Sequence, residues 1–257
     1  MTTPTLVLTA LPGLPLVQPG DDLAALIAAG LQRASLQLLA GDVLVVAQKV
    51  VSKAEDRYMQ LESVTPSARA VELAVSVEKD ARLVELILGE SRAVLRQRPG
   101  ALVVEHRLGF VCANAGIDHS NVGQHAGGGQ VLLLPADPDA SCAALRARLG
   151  TLCGGVGPGV IINDSHGRAW RSGTVGVALG VAGVPALMDL RGWPDLYGER
   201  LQITQVGLAD ELAAAASIIM GQAGEGLPVV HLRGVPYGAR SGTARELIRP
   251  IDQDLFR

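Results

Sequence analysis

Two short segments place aspartate beside strand-like hydrophobic runs, where a cation and a phosphate group could meet. In the first, Asp164 and Ser165 follow the run Val-Ile-Ile-Asn at residues 160–163, and two arginines come shortly afterwards. A carboxylate at a strand end, close to cations, is typical of a metal–phosphate site. The alternative is that Asp164 pairs with Arg168 or Arg171 and only closes a turn.

The second segment, residues 114–121, could supply further oxygen ligands from one turn. Its polar side chains are Asn114, Asp118, His119, Ser120 and Asn121. Oxygen ligands suit a hard cation such as Mg²⁺ or Mn²⁺, which commonly takes one or two carboxylates together with phosphate oxygens. An Asx-turn, in which these side chains bond their own backbone, explains the same pattern without a ligand. Because such a cation prefers oxygen, His119 and His166 are interpreted as loop residues.

Two more segments could contact a nucleotide. Lys53 follows the buried-strand run 43–47, so it could reach a phosphate as a point charge, although an ordinary surface lysine is the alternative. Residues 220–226, Met-Gly-Gln-Ala-Gly-Glu-Gly, end an alanine-rich helix, and their three glycines let the backbone approach a ligand closely. A glycine helix cap followed by a loop explains that segment equally well.

The elements around these segments alternate irregularly between helix and strand, which predicts an α/β or α+β fold with a mixed sheet and flanking helices. Helices are expected at residues 21–41, 67–77, 81–89, 138–149 and 209–220. Strands are expected at 43–47, 101–104, 110–113, 131–134, 160–163, 174–178 and 229–232. The chain reads as a single unit over residues 1–257, which could consist of two interleaved lobes, and residues 234–257 show no periodicity.

Composition excludes several classes of protein. A chain of 257 residues that is 48% hydrophobic and 18% charged has ample material for a core. A net charge of −3 and an aromatic content of 3% argue against a nucleic-acid binder. Three cysteines without C-x-x-C spacing predict small core residues rather than a disulfide framework or a zinc site. The N-terminus makes a poor signal peptide and no apolar run is long enough to span a membrane, so a cytoplasmic location is expected.

The glycines between residues 150 and 192 are dense enough to suggest a phosphate loop, above all Gly-Gly-Val-Gly-Pro-Gly at 154–159. The P-loop and dinucleotide signatures are nevertheless missing, so any nucleotide site would be of a non-P-loop type. We expect residues 154–159 to turn the chain into the strand that leads to Asp164, and Gly167 and Gly173 to shape the bend on the metal side.

Taken in order, five segments of the chain resemble the coenzyme F420-0:L-glutamate ligase family. They are Val-Val-Ser-Lys-Ala-Glu at 50–55, Asn-Ala-Gly-Ile-Asp-His-Ser-Asn at 114–121, residues 163–173, Asp-Leu-Tyr-Gly at 195–198, and the glycine segment at 220–226. Each motif is weak, but the ordered set is specific and runs from about residue 11 to residue 233.

The resemblance implies a GTP-dependent amide ligase that adds L-glutamate, and then γ-linked glutamates, to the deazaflavin precursor F420-0. It implies two divalent cations per subunit, Mg²⁺ or Mn²⁺, stimulation by K⁺, and an intertwined homodimer. It implies no nucleic-acid or membrane partner. Some relatives carry a fused nitroreductase-like domain, and the stand-alone form is expected here.

The family's functional residues carry over by motif position. The metal ligands would be Asp118, Asp164, Ser165 and Gln222, and the catalytic residues Lys53, Asp118 and Asp164. The residues in contact with GTP would be Leu14, Pro15, Leu16, Val17, Gln48, Lys49, Lys53, Asn121, Met220, Gly221, Gln222, Ala223, Gly224, Glu225 and Gly226. Two positions depart from the family: Ser165 replaces a usual threonine and keeps its hydroxyl, and Asp56 stands where glycine is common.

As a hypothesis, the acceptor carboxylate attacks the γ-phosphate of GTP, and the glutamate amine then displaces phosphate from the acyl phosphate. Arg168 and Arg171 could hold either the acceptor or glutamate. Two other functions stay open: a ligase of the same family with another carboxylate acceptor, and a GTP- or metal-binding protein without turnover.

Overall fold

The computed structural model of the protein describes residues 3–119, 129–238 and 240–255. The helices within these ranges are α1 (Leu23–Arg33), α2 (Gln48–Ala54), α3 (Ala68–Val77), α4 (Ala81–Gly89), α5 (Pro138–Leu152) and α6 (Leu208–Met220). The strands are β1 (Val7–Ala10), β2 (Val43–Ala47), β3 (Tyr58–Gln60), β4 (Ser91–Arg98), β5 (Ala101–His106), β6 (Val111–Ala113), β7 (Gln130–Leu132), β8 (Gly159–Arg168), β9 (Arg171–Ala182), β10 (Met188–Asp189), β11 (Gln205–Val206) and β12 (Val229–Arg233).

The main sheet contains five strands in the order β1-β12-β2-β8-β9. β2 and β8 run parallel, whereas the other neighbouring strands are antiparallel. This arrangement confirms the predicted mixed sheet with flanking helices. Because β2 and β8 are parallel and in register, Ala47 pairs with Asn163, and the residues that follow both strands meet at one edge of the sheet.

Helices cover both faces of the main sheet. Successive side chains of a strand point to opposite faces, so β2 contributes to the core on each side. Leu44 and Val46 of β2 pack on one face with the apolar sides of α1 and α5. Val43 and Val45 pack on the other face with α6. These strand residues are fully buried, which accounts for the unbroken hydrophobic run in the sequence.

A third core cluster lies under α3 and α4 and against the sheet β4-β5-β6. Ser67 and Asp80 cap the two helices by accepting hydrogen bonds from backbone amides in the first turn. β4 was not expected, because its sequence Ser-Arg-Ala-Val-Leu-Arg-Gln-Arg is rich in charge. It pairs with β5 through two register shifts and is half-buried or exposed along its length.

Two predicted boundaries are wrong. The first helix ends at Arg33 rather than near residue 41, because Ser35 adopts a left-handed conformation (φ 53°) and the amide of Leu36 donates to the carbonyl of Leu31 (2.9 Å). The strand expected to end at residue 163 continues to Arg168 and forms a long hairpin with β9. Gly167 and Gly173 therefore lie within the hairpin strands and do not bend the chain around a metal site.

Other expectations from the sequence are confirmed. Residues 154–159 lead directly into β8, with Gly154 and Gly155 at positive φ. Cys112 and Cys142 are buried, Cys153 is half-buried, and all three thiols are free. In the described part of the chain, the helices are too short or too polar to cross a bilayer.

Candidate active site

One cavity of about 1330 Å³ opens at the sheet edge where the parallel strands β2 and β8 lie side by side. Every predicted site residue within the described ranges lines it: Leu14, Pro15, Leu16, Val17, Gln48, Lys49, Lys53, Asp118, Asp164, Ser165, Met220, Gly221, Gln222, Ala223, Gly224, Glu225 and Gly226. Asn121 lies outside the described residues. The structure thus brings together segments that are separated by up to two hundred residues of chain, while the role of each residue stays a prediction.

Asp118 reaches the cavity from the segment after β6. Two backbone hydrogen bonds with Leu132 (2.9 and 3.0 Å) hold its main chain. Its carboxylate accepts a hydrogen bond from Nε2 of Gln48 (2.6 Å) and lies 3.3 Å from Nζ of Lys49. Both partners belong to α2, so a different element of the chain orients the Asp118 side chain.

Helix α2 was not predicted, yet it carries the polar groups that face Asp118. It begins directly after β2, so Gln48 is buried at the end of the strand, where its amide oxygen accepts from Oγ of Ser52 (3.1 Å). Lys53 lies one turn after Lys49 on the same side of the helix. Burial lowers the pKa of Lys53, the charge of Lys49 lowers it further, and Asp118 opposes both. Lys53 is therefore a partly desolvated cation beside the cavity and not an ordinary surface lysine.

Asp164 and Ser165 lie within β8 at the opposite side of the cavity. Oδ2 of Asp164 is 3.0 Å from Nε2 of His166, and Oγ of Ser165 donates a hydrogen bond to Oε1 of Gln222 (2.7 Å). The predicted proximity of Ser165 and Gln222 is thus observed. Because Asp164 pairs with a histidine, the alternative of an aspartate–arginine turn closure is wrong.

The two arginines of this segment lie at the far end of the β8–β9 hairpin. Arg168 donates to the carbonyl of Ser172 (3.2 Å), and both Arg168 and Arg171 are exposed. Neither lines the cavity. Within this chain, the hairpin geometry gives no support to a role for them in holding a substrate there.

Asp118 is a poorly compensated carboxylate of the cavity. Burial raises the pKa of Asp118, the neighbouring Asp164 raises it further, and Lys49 and Gln48 only partly oppose this. Two carboxylates that face each other in a partly buried site gain from a cation between them. The donors gathered here are carboxylates, a hydroxyl and an amide oxygen, the set that Mg²⁺ or Mn²⁺ prefers. Among the described residues, no group of three or more His, Cys, Asp or Glu side chains is placed to hold a metal ion, so a cation in this cavity would also need the hydroxyl and amide oxygens.

The glycine segment is both a helix cap and a wall of the cavity. Gly221 ends α6 with φ 72° and ψ −177°, a conformation open almost only to glycine. A side chain at this position would also collide with the carboxylate of Glu225, which folds back to accept a hydrogen bond from the amide of Ala223 (2.8 Å). The two interpretations made from the sequence are therefore compatible, because the cap shapes the loop that borders the cavity.

Residues 14–17 form the third side of the cavity. They belong to the loop between β1 and α1, and this loop can lie close to the helix because Gly30 has no side chain: a Cβ there would be 3.2 Å from Leu14. Val17 is buried, whereas Leu16 is 80% exposed. The buried side chain of Val17 thus anchors the loop, and Leu16, the residue before it, presents an exposed apolar side chain.

Sequence reasoning missed several residues that line the cavity, among them Tyr58, Gln60, Gln130 and Asn163. Tyr58 and Gln60 lie on β3, a strand of three residues that was not predicted. Gln130 begins β7, one position before the strand that was predicted at 131–134. Asn163 directly precedes Asp164, and its buried amide donates to Oγ of Ser217 (3.1 Å). In the sequence, only the position of Asn163 next to Asp164 could have indicated that it lines the site.

Comparison with known proteins shows the family of the chain. Residues 13–234 match the model of the family described as F420-0:Gamma-glutamyl ligase. A protein of Methanopyrus kandleri named coenzyme F420:L-glutamate ligase is 48% identical, over 99% of this chain and 98% of its own. Proteins of the same name from Methanothermobacter thermautotrophicus and Archaeoglobus fulgidus are 47% and 45% identical, and the matches cover 95% of this chain in both cases and 96% and 94% of theirs.

Proposed function

The chain belongs to the F420-0:gamma-glutamyl ligase family and is a ligase, and from this premise we propose that it joins L-glutamate to the deazaflavin precursor F420-0 at the expense of GTP. The observation that carries the proposal is the cavity of about 1330 Å³, into which all the described residues expected to bind nucleotide or metal converge. Such a volume exceeds that of a typical small-ligand pocket, so it has room for a nucleotide and part of a second substrate.

The nucleotide binds along one side of the cavity. The loop Gly221–Gly226 offers backbone amides to phosphate oxygens, as glycine-rich turns do elsewhere. Lys53 supplies a positive charge, and its desolvation makes an anionic partner especially favourable. The exposed side chain of Leu16, next to the buried Val17, covers the base.

Two divalent cations would be held by oxygen donors of the cavity. Asp118 and Asp164 would hold one, and Ser165 with Gln222 a second, since all four provide oxygen donors. When bound, such cations neutralise charge on the phosphate oxygens. The chain's own residues orient these donors: Gln48 and Lys49 fix Asp118, and His166 fixes Asp164. Stimulation by K⁺ stays a prediction.

The reaction has two steps. An oxygen of the acceptor carboxylate attacks the γ-phosphorus, the bond from that phosphorus to the β-phosphate oxygen breaks, and GDP leaves. The amine of glutamate then attacks the acyl carbon, the bond to phosphate breaks, and the nitrogen loses a proton as the amide forms. Lys53 stabilises the phosphoryl charge.

The test is mass spectrometry of F420-0 after incubation with the protein, L-glutamate, GTP and Mg²⁺ or Mn²⁺. Successive increments of one glutamyl residue, accompanied by GDP and phosphate, are the expected result. Matched reactions with ATP in place of GTP, with chelator, and with other carboxylates in place of F420-0 separate the parts of the proposal. GTP binding without turnover in the complete mixture would contradict it and favour a nucleotide-responsive binding protein.

We also propose that the protein acts as a homodimer. The arm between β10 and β11 exposes a group of large apolar side chains: Trp193, Leu196, Tyr197 and Ile203. Apolar groups gathered on one exposed segment are typical of a surface that another chain covers. Light scattering that gives the mass of a single chain at micromolar concentration would contradict this part of the proposal.

A further inference from the structure

A second cavity of about 800 Å³ lies beside the first, and the C-terminal segment forms much of its wall. All residues from 243 to 250 except Glu246 line it, in a segment for which the sequence predicts no structure. They are held firmly: Oδ1 of Asp139 accepts hydrogen bonds from the amides of Ala244 (2.9 Å) and Val181 (2.8 Å), and Gly242 donates to the carbonyl of Val184 (2.9 Å). The cavity is therefore built by tertiary contacts between α5, β9 and the tail.

One pair of side chains connects the two cavities. Asp164 lines the first and His166 lines the second, and their side chains are 3.0 Å apart. They can meet because residues two apart on a strand point to the same face. A substrate bound in the second cavity thus lies next to the residues expected to act on the nucleotide.

The uncompensated charges of the second cavity favour an anion on one side of it. Its lining contains four arginines, Arg92, Arg107, Arg245 and Arg249, and three aspartates, Asp137, Asp139 and Asp210. Asp137 and Asp139 accept hydrogen bonds from backbone amides, and Nη1 of Arg92 lies 3.7 Å from Oε1 of Glu105. Arg107 is compensated, since it donates to Glu90 (2.8 Å) and to the carbonyl of Ala136 (3.0 Å). Arg245 and Arg249 are exposed and form no side-chain hydrogen bond or ion pair with any other described residue. Two guanidinium groups at one cavity suit a ligand with two carboxylates, which each can bind through paired hydrogen bonds.

The same cavity also contains a carboxylate, that of Asp210, which can accept further hydrogen bonds. Oδ1 of Asp210 accepts from the amide of Ala178 (2.8 Å), and burial raises the pKa of Asp210 despite that bond and the nearby His166. A partly buried carboxylate with one amide partner gains from an ammonium group. The combination of two arginines and an aspartate is complementary to a dicarboxylic amino acid, whereas a carboxylate acceptor without an amine would leave Asp210 uncompensated.

We infer that the second cavity is the binding site of the incoming amino acid, L-glutamate, with Arg245 and Arg249 bound to its carboxylates and Asp210 to its amine. This inference rests on the proposed function for the identity of the amino acid. It assigns Arg245, Arg249 and Asp210 as binding residues that determine specificity, and it gives the C-terminal segment a role in substrate recognition.

The experiment compares the Michaelis constants of the three substrates in Arg245→Ala, Arg249→Ala and Asp210→Asn. The asparagine keeps an oxygen for the amide of Ala178 while it removes the charge. Each variant should raise the KM for glutamate at least about tenfold, since truncation of one partner of a charged hydrogen bond weakens binding by that much or more. The KM values for GTP and F420-0 should stay unchanged, as should all values in the matched control Arg98→Ala, an exposed arginine on β4.

A competitive inhibitor separates the roles of the residues. Glutarate has both carboxylates of glutamate and no amine, so its inhibition constant should rise in the two arginine variants and stay the same in Asp210→Asn. Calorimetric titration of glutamate into the wild-type protein and the variants gives a readout independent of turnover. If the wild-type protein binds glutamate through these arginines but does not ligate it, the proposed function fails and the inference stands.

The opposite results overturn the inference. If the wild-type protein ligates glutamate while the arginine variants keep its KM unchanged, the proposed function stands and the glutamate site lies elsewhere. A raised KM for F420-0 with an unchanged KM for glutamate would assign the cavity to the acceptor. Thermal unfolding of each variant shows that it is folded before these comparisons are made.

Discussion

Carboxylates occur in two contrasting settings in this molecule. Asp42, at the start of β2, is only 2% exposed, yet its pKa is lowered: burial alone would raise it, but Arg233, His231 and the amide of Leu39 together outweigh burial. Asp118, at the cavity, is more exposed (26% of its side chain), yet its pKa is raised by burial and by Asp164. The direction of the pKa shift therefore does not follow from the exposure of these two carboxylates. It follows from the cations and hydrogen-bond donors that surround each of them.

Glu90 belongs with Asp42. Burial would raise its pKa, but the nearby ring of His106 (3.6 Å), the hydrogen bond from Arg107 and the charges of Arg107 and Arg57 lower it to about 2. The carboxylates that arginine saturates hold elements of the fold together. Asp118 is less well compensated and lies at the cavity, where a substrate or a metal ion can supply the missing positive charge. The contrast indicates that stability has been given up at this position for binding.

The largest expected effect is the loss of ligation in Asp164→Asn and in Asp118→Asn. Removal of either charge should lower the rate of ligation by a factor of about 10² or more, about 3 kcal/mol, because charge on the phosphate is then less well stabilised. The measurement is single-turnover ligation at controlled metal concentration, together with thermal unfolding. Full activity of the folded, metal-controlled Asp164→Asn protein would end its assignment as a metal ligand.

Asp42→Asn should lower the stability of the protein and leave its catalytic rate unchanged, the reverse of the effect of the cavity variants. It leaves Arg233 and His231 beside a neutral side chain, so we expect a loss of roughly 2–3 kcal/mol in the free energy of unfolding. Denaturant titration measures this loss, and the rate constant of the folded fraction should stay that of the wild type. Asp189→Asn is the matched control, because Asp189 pairs with Arg191 on the surface. The melting temperature of this variant should equal that of the wild type. Equal losses in the two variants would contradict the comparison.

Glu90 should make the protein sensitive to acid. Its folded-state pKa of about 2 lies below the ordinary value of 4.5, so its contribution to stability is complete above pH 4.5 and is lost as the pH falls toward about 2. In Glu90→Gln, the free energy of unfolding should be lower by up to about 2 kcal/mol near neutral pH and should depend less on pH in that window. Parallel pH profiles for the two proteins would show that Glu90 is not the responsible group.

The smallest effect expected is on the stability of Asp118→Asn without ligands. Because the pKa of Asp118 is raised, its ionised form destabilises the folded protein, and asparagine should stabilise the metal-free protein by up to about 1 kcal/mol. Mn²⁺ should raise the melting temperature of the wild-type protein and have much less effect on this variant. A clear loss of stability in metal-free Asp118→Asn would show that Asp118 stabilises the fold, as Asp42 and Glu90 are expected to do.

Much of the fold was predictable where one local signal dominates. β2 matches its predicted bounds because it is buried on both faces, and α3 and α4 begin where Ser67 and Asp80 cap them. α2 was missed because it starts without a capping side chain directly after a strand. The length of the β8–β9 hairpin was underestimated because its outer half contains polar residues that only cross-strand pairing holds in an extended form.

For the site, the sequence by itself determined which residue types and motifs are present, and the ordered motifs were enough to predict the family. Only the tertiary structure decided that these motifs share one cavity, because the parallel pairing of β2 and β8 brings Gln48 and Asp164 to the same edge. It also decided that Asp164 faces His166 and not an arginine, and that the C-terminal segment borders a second cavity. The pairing of β2 with β8 and the packing of the C-terminal segment join residues far apart in the chain, and no local spacing or propensity encodes them. His166 is only two residues from Asp164, but the two side chains share a face because β8 extends beyond residue 163, which cross-strand pairing with β9 decides.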